Sequence, residues 1–154
     1  MQSQIKKYTI NPGITRIGDR SFEQVFLSEV NIPKGVTIIG LAAFRATSIS
    51  KLKLPESTIK VDDLAFSSCH NLKEVDLGKV KNIGDSILNY CPELTKVIIP
   101  DTLMWLPLGT FYRCGKLKDI TYLGTVEQFE NMVKDELEDW TNRYRIICKD
   151  GVIQ

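Results

Sequence analysis

Apolar residues return along this chain in a fixed rhythm. The stretches RIGDRSF, IIGLAAF, KVDDLAF, NIGDSIL and WLPLGTF align with one another and end at Phe22, Phe44, Phe66, Leu88 and Phe111, spaced 22, 22, 22 and 23 residues apart by subtraction. Five residues upstream runs a second ladder, Ile17, Ile39, Val61, Ile83 and Leu106. Downstream lie Leu27, Ile49, Leu72, Leu94 and Leu117, then Val30, Leu52, Val75, Val97 and Ile120, each of the last set followed two positions later by Ile32, Leu54, Leu77, Ile99 and Tyr122. Self-similarity at this period is the mark of a solenoid, in which one turn cannot bury its own apolar face but stacked turns share a core.

Within each turn the segments VNI, LKL, VDL, VII and ITY alternate apolar and polar residues, the pattern of a short half-buried strand pairing in parallel with that of the next turn. Pro33, Pro55 and Pro100 follow these segments, and the missing N–H of proline suits a strand end. Gly18, Gly40 and Gly84 share one repeat position, which calls for a positive φ or a close backbone approach; Asp62 and Pro107 replace them in the other turns. The phenylalanine ladder is expected in a short helical or irregular segment opposite the strand.

After Tyr122 the period stops. Thr125 followed three residues later by Gln128 is a capping-box arrangement, and Val126, Phe129, Met132, Val133, Leu137 and Trp140 continue at close to helical spacing. This predicts a helix with one apolar face, set against the open end of the last turn. RIICKDGVIQ then reads as a short strand with a turn at Asp150-Gly151.

Taken together, the pattern V-x-I-P … I-G-x-x-A-F-x-x-C-x-x-L-x-x-V resembles the BspA-type leucine-rich repeat over about residues 8 to 122. Repeat four departs at Leu88 and Gly78, and repeat one has Val25 in place of the cysteine. The tail resembles an element seen after such repeats, through Gly124, Thr125, Gln128, Phe129, Trp140, Cys148, Asp150 and Gly151. The fold expected is an α/β solenoid with about 22 to 23 residues per repeat: residues 1–122 form about five repeats and residues 123–154 a helix-plus-strand cap, in one continuous domain. The tail match implies a true carboxyl terminus. Ile5, Tyr8 and Ile10 already fit the pattern, so the chain is expected to start inside its architecture without an amino-terminal cap, as a trimmed chain or part of a longer protein would.

Composition narrows the function classes. A chain of 154 residues with 43% hydrophobic and 25% charged residues is ordinary for a globular domain. A net charge of +1 gives no reason to expect nucleic acid, and no apolar run approaches a membrane span, so membrane insertion is not expected either.

Chemistry-bearing residues are few. His70, the single histidine, directly follows Cys69. Cys69, Cys91 and Cys114 share a repeat position with Val25 and Thr47, which makes it a packing position filled by small, buried, reduced thiols. Paired metal ligands such as C-x-x-C do not occur, and no metal or cofactor is expected. The turn carrying His70 holds Glu93 and Gly115 in later repeats, so the imidazole is expected in solvent and the thiol in the coil, too far apart in direction for a dyad. No phosphate-binding glycine loop is present, and no catalytic residues are assigned.

A repeat surface remains. The outward column of the strands reads Thr9, Asn31, Lys53, Asp76, Ile98, Thr121, and the column before it Glu29, Lys51, Glu74, Lys96, Asp119. The alternating signs of the second keep like charges from stacking. Trp105 stands where other repeats have Arg16, Ile38, Lys60 and Asn82, and is either an exposed anchor or, with Met104, packed against the cap helix. Asn31, Lys53, Asp76, Ile98, Lys96 and Trp105 are therefore the candidate partner-binding residues. The resemblance implies a non-enzymatic module that binds protein or glycan partners in adhesion or host and cell-surface contacts, secreted or surface-exposed. The alternative is an intracellular scaffold or inhibitor, or a fragment self-associating through its uncapped first turn; reduced cysteines and the lack of a signal segment allow a cytoplasmic location.

Overall fold

A computed structural model describes residues 5–154. The expected strands form, one per turn: β1 (Ile5–Thr9), β3 (Leu27–Asn31), β5 (Lys51–Lys53), β7 (Glu74–Asp76), β9 (Lys96–Ile99) and β10 (Asp119–Tyr122). Except between β3 and β5, successive strands pair in parallel in the register that the ladders predict, Leu52 opposite Val75 and Val75 opposite Val97. The column is divided: β1 pairs with β3 alone, and a six-stranded sheet runs from β5 through β7, β9 and β10 into the cap. The side chain of Ile5 lies outside the described residues.

Each of the first four turns also carries a second, two-residue strand that the period alone did not predict. These are β2 (Arg16–Ile17), β4 (Ile38–Ile39), β6 (Lys60–Val61) and β8 (Asn82–Ile83), and they form a narrow parallel sheet of their own. The physical logic is the same alternation over a shorter span, with Ile17, Ile39 and Val61 buried and Arg16 and Lys60 exposed. This sheet ends for a chemical reason. Gly40, Asp62 and Gly84 each donate a backbone N–H to the preceding turn's carbonyl at 2.8–2.9 Å, and Pro107, next at this position, has none to donate.

Between the two sheets the phenylalanine segment is irregular, not helical. Backbone N–H groups at alternate residues cross to the next turn: Arg20 to Leu41, Phe22 to Ala43, Gln24 to Arg45, each at 2.8 Å, and the pattern repeats through Phe44 and Phe66. Two residues per turn adopt the left-handed region to make this possible, Ala42 and Ala46 in one turn and Leu64 and Ser68 in the next. Only the fifth turn tightens into a 3-10 helix, Leu108–Phe111.

The shared position of Gly18, Gly40 and Gly84 thus serves close approach, and positive φ falls elsewhere. A Cβ on Gly40 would lie 2.8 Å from the backbone nitrogen of Asp19, and one on Gly84 2.5 Å from that of Asp63. Those aspartates belong to the preceding turn and accept the backbone N–H groups of Leu41 and Asp85 at 3.1 and 2.9 Å.

One apolar core runs through every turn. Phe44 and Phe66 are fully buried, and the rings of Phe22, Phe44 and Phe66 stack nearly parallel with centroids 5.0 and 5.3 Å apart, close to the separation of adjacent strands. Leu88 ends the stack. Phe111 instead meets Trp140 and Tyr144 edge-on at 6.0 and 6.1 Å.

The cap differs in detail from the single helix and strand predicted. Its capping box forms as expected, Thr125 accepting from Gln128 N–H and Gln128 accepting from Thr125 N–H. The helical stretch then breaks at Lys134, whose φ is 46°, into α1 (Val126–Val133), a 3-10 turn and α2 (Leu137–Thr141). The break keeps the apolar side facing the repeats: Phe129 packs on Tyr122 and Trp140 on Phe111. β11 (Arg145–Ile147) extends the long sheet in parallel, and β12 (Val152–Ile153) folds back antiparallel to it around Asp150-Gly151. Asp150 accepts the Val126 N–H at 2.8 Å, tying hairpin to helix.

Candidate functional site

The cysteine column is structural. Cys69 Sγ lies 3.3 Å from the Phe44 carbonyl, Cys91 Sγ 3.5 Å from that of Phe66 and Cys114 Sγ 3.1 Å from that of Leu88, so each thiol donates to the ladder residue of the turn before. Thr47 fits the same position because its hydroxyl makes a comparable contact, 3.3 Å from Cys69 Sγ. All four cysteines are buried and free. Burial pushes the Cys69 thiol up to about 11. Cys91 is shifted up by the neighbouring Cys114 thiol and by burial, and Cys114 is shifted down by its proximity to Cys91.

His70 is exposed on the turn between Cys69 and Leu72, closed by Leu72 N–H donating to the Cys69 carbonyl at 3.1 Å. Ring and thiol therefore face opposite ways. Among the described residues no group of three or more His, Cys, Asp or Glu side chains is placed to hold a metal ion.

The outward face of the long sheet carries four of the six candidate residues, Lys53 on β5, Asp76 on β7, and Lys96 and Ile98 on β9, while Asn31 lies on β3 of the separate two-stranded sheet. Lys53 is directly opposite Asp76, and Asp76 opposite Ile98. A groove of about 260 Å³ runs over these three strands, lined by Lys51, Lys53, Glu74, Asp76, Lys96 and Ile98. The alternating charge column is partly self-compensated: Lys7 pairs with Glu29 at 3.2 Å, Lys51 with Glu74 at 3.4 Å, and Arg145 extends the column to hold Asp119 with two bonds of 2.9 and 2.7 Å. That grip holds the Asp119 carboxyl below its usual range. Asp76 is occupied locally, accepting the Gly78 N–H at 2.9 Å.

Lys53 and Lys96 have no acidic partner within 4 Å among the described residues; Lys96 precedes the half-buried Ile98 by two residues on β9, and Lys53 lies across Asp76 from it. A strip with two uncompensated cations beside an apolar side chain can accept a partner's carboxylate next to a hydrophobic contact.

Trp105 is elsewhere. It follows β8 on the narrow sheet's side, 42% exposed beside Met104 at 69%, and the cap helices pack instead on Phe111 and Tyr122. The structure thus separates Trp105 from Ile98: Ile98 lies on β9 of the long sheet, and Trp105 in the irregular segment that follows the strand, at the position occupied by the narrow sheet in earlier turns.

Compared with known sequences, residues 1–118 match the BspA type leucine rich repeat region in six copies. The chain belongs to the BspA-type leucine-rich repeat family. Members of this repeat class are in general interaction folds and not enzymes. No curated protein sequence matches the BspA-type chain significantly. Among solved structures it is similar to a leucine rich cell surface protein from Faecalibacterium prausnitzii A2-165, with TM-score 0.82 and 25% identity over 87% of this chain and 36% of the other. The pneumococcal vaccine antigen PcpA superposes with TM-score 0.77 at 22% identity, covering 95% of this chain and 42% of its own. The T. pallidum leucine rich repeat protein TpLRR follows with TM-score 0.73 at 20% identity over 85% and 69%. The BspA-type chain therefore spans 36% of the length of the first of these relatives.

Proposed function

We propose that this chain is a non-enzymatic binding module that holds a protein or glycan partner on the outward face of its long sheet, at or outside the cell surface. The observation that carries this reading is the groove over β5, β7 and β9, in which Lys53 and Lys96, neither in an ion pair among the described residues, share one outward face with Asp76 and the half-buried Ile98. A rigid repeat presents this strip at fixed spacing, so binding costs little ordering of the chain. The surface location is supported by relatives described as a cell surface protein and a vaccine antigen.

The test is a pull-down from extracellular-matrix extract and from cell lysate, comparing the wild type with Lys53→Ala/Lys96→Ala/Ile98→Ala and, separately, Trp105→Ala, each checked for an unchanged melting curve. Partners lost in the triple variant and kept in Trp105→Ala support the long-sheet face. Identical partner sets in all three proteins count against it.

A second reading, self-association, is favoured by one feature. The first turn leaves Tyr8 40% exposed and Phe22 half-buried beside a hollow of about 200 Å³. Sedimentation across a wide concentration range separates the two, since only self-association makes the mass rise with concentration.

A further inference from the structure

On the flank where the last turn meets the cap lies a hollow of about 310 Å³ that differs from the rest of the surface. Its rim carries Arg113, Lys118 and Arg143, its walls Tyr112 and Tyr144, and its floor includes the buried Leu117. No acidic side chain lines it. In a chain of 20 basic and 19 acidic residues this is a local imbalance, and neighbouring cations show that it is not forced by a shortage of acids. Lys116 holds Glu93 at 2.6 Å and Arg145 holds Asp119, whereas Arg113, Lys118 and Arg143 have no acidic partner within 4 Å among the described residues.

Arg113 is also held in place. Its guanidinium carbon sits 4.8 Å from the ring centroid of Tyr90 and 5.6 Å from that of Tyr112, and the two rings meet edge-on at 6.2 Å. Stacking on ring faces leaves the planar edge of a guanidinium, with its forked donors, free for a carboxylate. Tyr112 is 51% exposed and Tyr90 39%, a large aromatic area to leave in water without use. Tyr144 is fixed by its hydroxyl, which donates to the Phe111 carbonyl at 3.3 Å.

We propose that this hollow is a docking site for an acidic peptide segment in which carboxylates flank an aromatic or aliphatic side chain. The carboxylates meet Arg113, Lys118 and Arg143, and the apolar side chain rests on Leu117 between the two tyrosines. Recognition of acidic motifs by arginine clusters is an established mode of peptide binding. A sulfated polysaccharide fits less well: it has no apolar group for the floor and is matched by a long row of cations, whereas these three surround one hollow. The site lies on a different flank from Lys53, Lys96 and Ile98, so it stands apart from the proposed long-sheet function.

The test titrates the full chain with a fluorescent, end-blocked peptide of alternating glutamate and phenylalanine, read by anisotropy. Comparison ligands are the same peptide with glutamine for glutamate and a heparin-derived oligosaccharide. The proteins are wild type, Arg113→Gln/Arg143→Gln, Lys118→Glu, and Lys53→Gln/Lys96→Gln, all exposed substitutions. The expected result is binding of the glutamate peptide, weakened at least about tenfold by either hollow variant and by raised salt, and weakened less by Lys53→Gln/Lys96→Gln than by either hollow variant. Equal binding of the glutamine peptide, full binding by the hollow variants, or oligosaccharide binding in place of the peptide overturns the proposal. Loss confined to Lys53→Gln/Lys96→Gln also overturns it and leaves the long-sheet reading intact.

Discussion

Phe66 is the last ring of the stack, in the central turn and with no solvent exposure, and its side chain has no smaller substitute that fills the space between turns. Phe66→Ala is expected to cost about 3–5 kcal/mol through the cavity it leaves, whereas the exposed Lys53→Ala should cost under about 0.5 kcal/mol; denaturant titration of both separates them. The glycines give a sharper contrast. Gly84→Ala drives a methyl group into the Asp63 backbone of the preceding turn and should destabilise, while Gly115→Ala meets nothing within 4 Å and should be neutral or gain about 0.4–1 kcal/mol by restricting the unfolded chain. Comparing their unfolding midpoints checks the assignment of the repeat glycine to close packing. Cys69 makes a pH prediction. Its folded pKa is raised from 9.0 to about 11, so the folded state keeps a proton that the unfolded chain releases. The stability due to the buried thiol is complete below pH 9 and falls as pH rises towards about 11, and Cys69→Val should flatten that alkaline decline in melting experiments.

At the scale of elements, the cap depends on a defined helix start. Thr125→Ala removes one half of the capping box and should cost about 1 kcal/mol, lowering the melting temperature by roughly 2–4 °C in a chain of this size; thermal unfolding followed by circular dichroism reads it. That box was legible in the sequence, because Thr125 and Gln128 stand at the required spacing. So was the parallel strand column, since alternation over three residues in five successive turns leaves little else for the segment to be. The narrow second sheet was not: two residues per turn are too few for alternation to stand out, and its hydrogen bonds run between turns, where a single repeat carries no sign of them. The break at Lys134 was hidden for a related reason, since Val133 and Leu137 keep helical spacing across it while the backbone between them does not. Among the candidate residues, Trp105 and Ile98 are both apolar where exposure is expected, and only the fold parts them, Ile98 on β9 and Trp105 in the irregular segment after it. The basic hollow beside the cap was invisible in sequence, its residues coming from the segment of the last turn before β10 and from the approach to β11.

For the whole molecule, stacked turns make a continuous core from residues that individually bury little, and the cap closes one end of it through Phe129, Trp140 and Tyr144. The same stacking converts small differences between repeats into a surface pattern. Lys51 and Glu74 neutralise each other, Asp119 and Arg145 do likewise, and the strip between them is left with Lys53, Ile98 and Lys96 as its distinct chemistry. Function, on this account, resides in what the repeats vary and stability in what they share. The most direct test places a photo-cross-linking phenylalanine analogue at Ile98 and, in a separate protein, at Ile59, an equally apolar residue that is 45% exposed next to the narrow sheet. Both are irradiated in extracellular-matrix extract and in cell lysate, and the adducts are identified by mass spectrometry. Long-sheet binding predicts a discrete adduct from position 98 that position 59 does not give; equal adducts from both positions, or none from position 98 in either extract, would contradict it.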